Sequence, residues 1–252
     1  MGQFTGKTFI VTGGSAGIGR ATALALTGDG ASIVIGDIRD QEGRELESQL
    51  AAAGGRALYV HADVAKEQDC KALVEAAVAR FGGLDGAVNN AGIEQSGRPI
   101  VDITEAEFDR IMHINVLGVL MGMKHQIPAL IHRGGGSIVN LSSIAGLIGF
   151  PGAGVYVASK HAVLGLTRTA ALEHARNSIR VNAVCPGAIQ TEMIERFTQH
   201  DARQRAALAA AHPVGRFGTA SEIAAAILWL LSPGASFVTG QHVTVDGGYT
   251  VQ

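Results

Sequence analysis

Cysteine is nearly absent. Cys70 and Cys185 are the only two in 252 residues, and their separation fits no metal or redox motif. A disulfide framework and a thiolate metal site are therefore excluded, and both thiols are expected to pack as small apolar side chains in a reducing compartment. Charge is also scarce. Charged residues make up 17%, nearly balanced, for a net charge of -2. That balance supplies neither the basic face that nucleic acid requires nor a polybasic segment for a membrane surface. Long apolar runs are missing too. The longest apolar helical run, Ile223 to Leu231, is far short of the roughly 20 residues of a membrane span. No charged segment precedes a long apolar one near Met1 to Gly6, and Gly6 stands where N-myristoylation wants Ser or Thr. The expectation is a cytoplasmic protein with neither nucleic acid nor membrane as partner.

What the chain does have is hydrophobic content, 47%, arranged as short apolar runs alternating with longer segments of helical period. Strands are expected at Lys7–Thr12, Ser32–Asp37, Ala57–His61, Leu84–Asn89, Ser137–Leu141, Ile179–Val184 and His242–Val245. Continuous apolar runs suit strands buried on both faces of a parallel sheet. Helices are expected between them. They include a long one from Glu105 to His132 bent at Pro128, one over Val155–Ala175, and one over Ala220–Leu231 capped by Ser221. No linker or repeat interrupts the alternation, so the chain reads as one α/β domain over 1–252. It is a Rossmann-like, doubly wound, seven-stranded parallel sheet with helices on both faces, and a lid over roughly 190–213. Ligands of such sheets bind outside the carboxyl ends of the strands, where the strand order reverses.

After the first strand comes Thr12-Gly13-Gly14-Ser15-Ala16-Gly17-Ile18-Gly19, leading straight into a helix. Gly13, Ser15, Gly17, Ile18 and Gly19 are read as a cradle for a dinucleotide. Glycines let the backbone approach a pyrophosphate, and the helix start offers free N–H groups and a favourable dipole. The spacing departs from Gly-x-Gly-x-x-Gly. Asp37 ends the second strand, 18 residues past Gly19, where a carboxylate would grip the adenosine ribose hydroxyls and repel a 2′-phosphate. NAD is expected over NADP, with non-basic Ala16 in agreement and Arg39 pulling the other way. Asp63 and Val64 follow the third strand near the adenine position, and Asn90 follows the fourth.

Tyr156 and Lys160 lie four apart on one helix face, with Ser143 13 residues earlier and Asn115 inside the long helix. A carbonyl being reduced needs a proton on oxygen as hydride reaches carbon. Tyrosine can supply it, but a reference pKa of about 10 is high for a base near neutrality. A neighbouring ammonium and a cationic nicotinamide ring are expected to lower it. A serine hydroxyl can hold the substrate oxygen.

The ordered set Thr12–Gly19, Asp63, Asn89–Gly92, Asn115, Ser143, Tyr156-x-x-x-Lys160, Pro186-Gly187-x-Ile189-x-Thr191 and Asp246-Gly247-Gly248 resembles the short-chain dehydrogenase/reductase family over essentially the whole chain. The resemblance implies Tyr156 as acid/base and Lys160 as ligand of the nicotinamide ribose. It implies Ser143, rather than Ser142, as the residue that orients substrate, and Asn115 as holder of a relay water. Ile189 and Thr191 would meet the nicotinamide carboxamide. It further implies a homotetramer with the Tyr156 helix and last strand in the interfaces, where Val163, Leu166 and Phe237 are candidate contacts. The tail Gly247–Gln252 resembles one that holds a structural magnesium in some members; no catalytic metal is expected.

The candidate pocket residues Ile144, Ala145, Phe150 to Gly154, Met193, Ile194 and Phe197 are mostly apolar, with Glu94, Gln95 and Arg98 adding polarity. The expected reaction is NAD-dependent hydride transfer to or from a hydrophobic secondary alcohol or ketone, cyclic ones included. Two alternatives stand beside it: a 3-oxoacyl thioester reductase, and a non-catalytic nucleotide-sensing or scaffold protein on the same fold.

Overall fold

The computed structural model describes residues 2–95, 97–198 and 201–252. Its strands are β1 (Thr8–Thr12), β2 (Ser32–Asp37), β3 (Arg56–His61), β4 (Gly86–Asn89), β5 (Gly136–Leu141), β6 (Ile179–Pro186) and β7 (His242–Val245). All pair in parallel, in the order β3-β2-β1-β4-β5-β6-β7. The doubly wound architecture expected from the alternating pattern is what forms. The strand order reverses between β1 and β4, so the crevice opens at their carboxyl ends.

The unbroken apolar strands are explained by what covers each face. The α-helices are α1 (Gly17–Gly28), α2 (Asp40–Ala52), α3 (Glu67–Phe81), α4 (Glu105–Met112), α5 (Gly118–Arg133), α6 (Gly154–His174), α7 (Glu192–Phe197), α8 (Ala202–Ala210) and α9 (Ala220–Leu231). Phe9, Val11, Ile33, Ile35, Val139 and Val184 pack on one face with Leu26 of α1 and Ile223 and Ile227 of α9. Their alternate neighbours Ile10, Val34, Ile138 and Val181 pack on the other face with residues of α3, α5 and α6. Period-2 alternation thus feeds two cores from one strand. Each fully buried aliphatic side chain contributes about 1.5–3 kcal/mol. Cys70 and Cys185 are both buried, reading as small apolar residues.

Three expectations change. The helix expected over Glu105–His132 is continuous in path, but its hydrogen-bonding widens into a π turn at His113–Leu117 between α4 and α5. Asn115 sits in that turn, 1% exposed. Such wide turns recur at functional sites because they re-aim a side chain. The combined helix, Glu105–Arg133, is long and apolar enough to cross a membrane, unlike the shorter run judged from sequence. Its inward face, Val119, Met123, Ile127 and Leu130, packs into the sheet core instead. Val163, which fits an interface and the core equally by sequence, is fully buried in that core.

The third change is the cap of α9, which is Thr219 rather than Ser221. The Thr219 hydroxyl accepts from the Glu222 N–H at 3.3 Å, and the Glu222 carboxylate accepts from the Thr219 N–H at 2.7 Å. The reciprocal pair satisfies two donors that the first turn leaves orphaned. Thr219→Ala is expected to lower unfolding free energy by about 1 kcal/mol in urea titration, and Ser221→Ala by only a few tenths. Equal effects would contradict this assignment.

Candidate active site

At the reversal point, the β1–α1 turn is packed against the segment after β4. The Asn90 side-chain amide donates to the carbonyls of Thr12 (2.9 Å) and Gly13 (3.0 Å), while the Asn90 N–H donates to Thr12 Oγ1 at 3.0 Å. The packing leaves no room for side chains. A Cβ on Gly19 would lie 2.1 Å from the Gly13 carbonyl oxygen. Gly13 itself has φ +59°, the left-handed region where glycine is at home.

The residues at this turn fit a bound pyrophosphate. Ser15 Oγ is, among the described residues, the one buried side-chain polar atom without a hydrogen-bond partner. The N-cap of α1, Ala16, gives no side-chain hydrogen bond, and the first turn carries no acidic residue. The N–H groups and positive end of α1 therefore face the crevice without a protein anion. Asp37 closes the far side. One of its oxygens accepts from the Ser15 N–H (3.0 Å) and the other from the Arg39 N–H (3.1 Å). Asp37, Asp63 and Val64 line one cleft with Gly13, Gly17 and Ile18. Asp63 also takes the Ala65 N–H at 3.1 Å, which turns the chain after β3.

A second cleft, about 1050 Å³ including its mouth, adjoins the first. Both are bordered by Ile18, Asn90, Gly92, Thr191 and Met193, so they form one groove. Ser143, Tyr156, Lys160 and Ile189 line the second cleft. Ser142 and Ser143 divide their work by geometry. Ser142 Oγ is committed to the Lys160 carbonyl at 2.9 Å, whereas Ser143 Oγ accepts from the Ala145 N–H at 3.1 Å and lies near enough to the Tyr156 phenol to pull its pKa downward. Asn115 does not line the cleft. Its amide is spent on both backbone groups of Ile93 (2.8 and 3.0 Å) and on Ser159 Oγ (3.1 Å). It borders Gly92, where an added Cβ would lie 3.2 Å from Asn115 Oδ1 and 3.4 Å from Lys160 Nζ.

The electrostatics depart from the expected ammonium-lowered phenol. Tyr156 is half-buried and lines the cleft. Loss of water pushes its pKa up to about 12; Ser143 pulls downward and the Glu94 charge upward. The same dryness lowers Lys160 to about 8. Lys160 does not offset the tyrosine here, because its Nζ lies over the ring, 5.5 Å from the centroid, and donates to the Leu141 carbonyl at 2.9 Å.

Sequence reasoning did not foresee the ion pairs that span the groove. Arg39, beside Asp37, pairs with Glu192 of α7 at 3.0 Å, and with Glu42 at 2.6 Å. Arg196 of α7 pairs with Glu94, in the segment after β4, at 2.7 Å. Partners more than 100 residues apart leave no periodic signal. Ile38 and Ile114, which line the first cleft, were missed for the same reason.

With the geometry in place, the comparisons with known proteins bear on it. The sequence model of the family described as enoyl-(acyl carrier protein) reductase matches residues 13–250. A 2,5-dichloro-2,5-cyclohexadiene-1,4-diol dehydrogenase of Sphingobium indicum is 50% identical over 99% of both chains. A cyclohexanol dehydrogenase of an Acinetobacter species is 42% identical, over 98% of this chain and 96% of that one. The crystal structure of levodione reductase superposes with a TM-score of 0.95 at 38% identity, covering 98% of this chain and 99% of the other. That of a short-chain type dehydrogenase/reductase from Mycobacterium marinum gives 0.94 at 34% identity, covering 99% and 98%.

A Cβ on Gly19 must displace the Gly13 carbonyl and with it the turn. Gly19→Ala is expected to weaken dinucleotide affinity at least about tenfold, read by fluorescence titration with NADH. Unchanged affinity would mean that this turn does not hold the phosphates.

Proposed function

The chain belongs to the short-chain dehydrogenase/reductase family and is an oxidoreductase using a nicotinamide cofactor, and from that premise we propose that it oxidises alicyclic secondary alcohols with NAD, or reduces the corresponding ketones. The observation that carries the reading is the Tyr156 phenol, beside Ser143 and under Lys160, in a cleft whose lining is mostly apolar. Ile144, Ala145, Phe150, Ile194, Phe197 and Leu208 form its apolar walls, and among the described lining residues Lys160 is the one cation, already donating to the Leu141 carbonyl. A saturated ring fits such a lining through the hydrophobic effect. The relatives named for dichlorocyclohexadienediol and cyclohexanol support a cyclic substrate.

In this reading Ser15 and the start of α1 hold the pyrophosphate, and Asp37 the adenosine ribose. Asp63 and Val64 border the adenine, and Gly13, Gly17, Ile18 and Gly19 shape the cradle. Asn90, Tyr156 and Lys160 hold the nicotinamide ribose, and Ile189 and Thr191 the carboxamide. When bound, the cofactor takes or gives the hydride. The protein's own work concerns the proton. In oxidation the Tyr156 phenolate takes the alcohol proton as the carbon loses hydride; in reduction the phenol returns it. Ser143 hydrogen-bonds the reacting oxygen and steadies the charge on it. Asn115 anchors Ile93 and the α6 serine, Ser159, and the relay water assigned to it would connect Lys160 to solvent. The segment 190–213, with α7 and α8, acts as a lid on one domain. Arg39 is held by two carboxylates rather than waiting for a 2′-phosphate, which supports NAD. Exposed Phe237, next to the edge strand β7, and exposed Leu172 on α6 support a homotetramer, and the charge balance supports a cytoplasmic site.

Tyr156→Phe is expected to bind NADH normally yet lose roughly a hundred- to ten-thousandfold in kcat with cyclohexanol. Retained turnover would remove the mechanism. Oxidation needs the phenolate, so its kcat/KM rises with pH, while reduction falls. Because Ser143 lowers the phenol pKa, Ser143→Ala is expected to move the midpoint of both limbs to higher pH. A midpoint that stays in place would show that Ser143 does not touch the titrating group. Asp37→Ala is expected to cut the NAD over NADP preference roughly ten- to a hundredfold, measured as the ratio of kcat/KM values. No change would put the ribose elsewhere.

A further inference from the structure

The helix that carries Tyr156 has no cap of its own. The residue before α6, Ala153, offers no side-chain hydrogen bond, and no acidic residue stands in the first turn. Tyr156 is the third residue of that helix, within the turn that frays first. The missing acceptor arrives from 60 residues away. Gln95 Oε1 accepts from the N–H groups of Val155 (2.8 Å) and Tyr156 (3.1 Å), the second and third of the helix. Those are the donors an N-cap side chain would serve. The other end of the same amide, Nε2, donates to the Gly152 carbonyl at 3.2 Å. The Arg98 N–H meets that carbonyl too, at 2.9 Å. Gln95 is 1% exposed, so all three contacts are made out of water.

We infer that Gln95 is the positioning residue for the acid/base, a cap supplied in trans that fixes the first turn of α6 and with it the phenol. The inference rests on the reading of Tyr156 as the acid/base. Gln95 borders the cleft, yet its polar atoms are spent on the helix and its approach rather than left for substrate. The residue type follows from charge. A carboxylate could accept the same two N–H groups, but its charge would disfavour the phenolate. The titratable and charged groups that face the phenol are already balanced without it. Lys160 comes from its own helix and Cys185 from β6, and Glu94, in the segment after β4, is paired with Arg196 of α7. A neutral amide adds an acceptor and no charge.

Three variants test this: Gln95→Leu, Gln95→Glu and Tyr156→Phe, assayed with cyclohexanol and NAD across pH, with NADH affinity and circular dichroism as controls. Gln95→Leu is expected to lose roughly ten- to a hundredfold in kcat at every pH, with NADH affinity within about twofold. Gln95→Glu keeps the acceptor. It is expected to recover most of kcat, but with the kcat/KM midpoint moved up by about half a unit or more. A Gln95→Leu enzyme with normal kcat, or a Gln95→Glu profile that coincides with the parent, overturns the inference. If Gln95→Leu does not fold, Gln95→Asn, whose shorter amide cannot reach both N–H groups, decides in its place: a loss of kcat with NADH affinity kept supports the inference, and a normal kcat overturns it. An active Tyr156→Phe enzyme would instead defeat the reading beneath it.

Discussion

Exclusion of water around the Tyr156 hydroxyl and Lys160 Nζ sets the terms for the rest of the groove. Dryness pushes the phenol up to about 12 and the ammonium down to about 8, so each disfavours its own charged form. In that state the chain holds a proton donor ready for reduction and a poor base for oxidation. In the proposed mechanism the base is made by groups that stabilise the phenolate: Ser143, and a cationic ring beside it when the cofactor is present. Low dielectric makes each such contribution larger than it would be in water. The fold therefore places a costly, unsolvated pair where a small change of nearby charge has a large effect. Glu94 shows the reverse case, since its carboxylate acts against the phenolate while Arg196 holds it.

Two helix starts face the groove and are treated in opposite ways. The start of α1 is left bare, with Ala16 at the cap and Ser15 Oγ unpartnered beside it. The start of α6 is filled by the Gln95 amide. A bare start attracts an anion, and a second one next to the phenol would pull an anion, or the cofactor phosphates, toward the wrong end. Filling it with a neutral acceptor satisfies the backbone without competing. The distinction separates the binding end of the groove from the reacting end, using the same physics of orphaned N–H groups.

The sheet was legible because strands buried on both faces carry consecutive apolar residues, as Phe9-Ile10-Val11 in β1 and Ile33-Val34-Ile35 in β2 do. The glycine turn and the Tyr156–Lys160 spacing were legible because both act over one turn of chain. What escaped notice depends on distant partners. The π turn at Asn115 follows from the amide's bonds to Ile93 and Ser159, and nothing near Asn115 in sequence announces them. For Val163 the choice between core and interface stayed open because helix period alone does not say which face meets the sheet. Spacing put Tyr156 and Lys160 on one face, but not the Leu141 carbonyl that holds the Lys160 ammonium. Ser221 lost the cap of α9 to Thr219 because the capping box requires the acidic residue three positions on, and Glu222 meets that condition only from Thr219.

In the proposed reading α7 belongs to a lid over the groove, and its attachments then decide how the groove can open. Arg39–Glu192 ties α7 to the ribose end and Arg196–Glu94 ties it to the substrate end. Glu192 and Arg196 are exposed while Arg39 and Glu94 are partly covered, and an ion pair at the surface is worth about 0–1 kcal/mol and weakens with salt. Two such ties, helped by Met193, Ile194 and Phe197 against the cleft, hold the lid with an energy that thermal motion can overcome. That is what turnover demands, since a lid fastened by a large apolar interface would keep product in. A lid with no attachment would let water reach the phenol and undo the pKa shifts described above. Weak, paired, cross-groove contacts satisfy both demands, and they lie on either side of the residue whose proton the reaction moves.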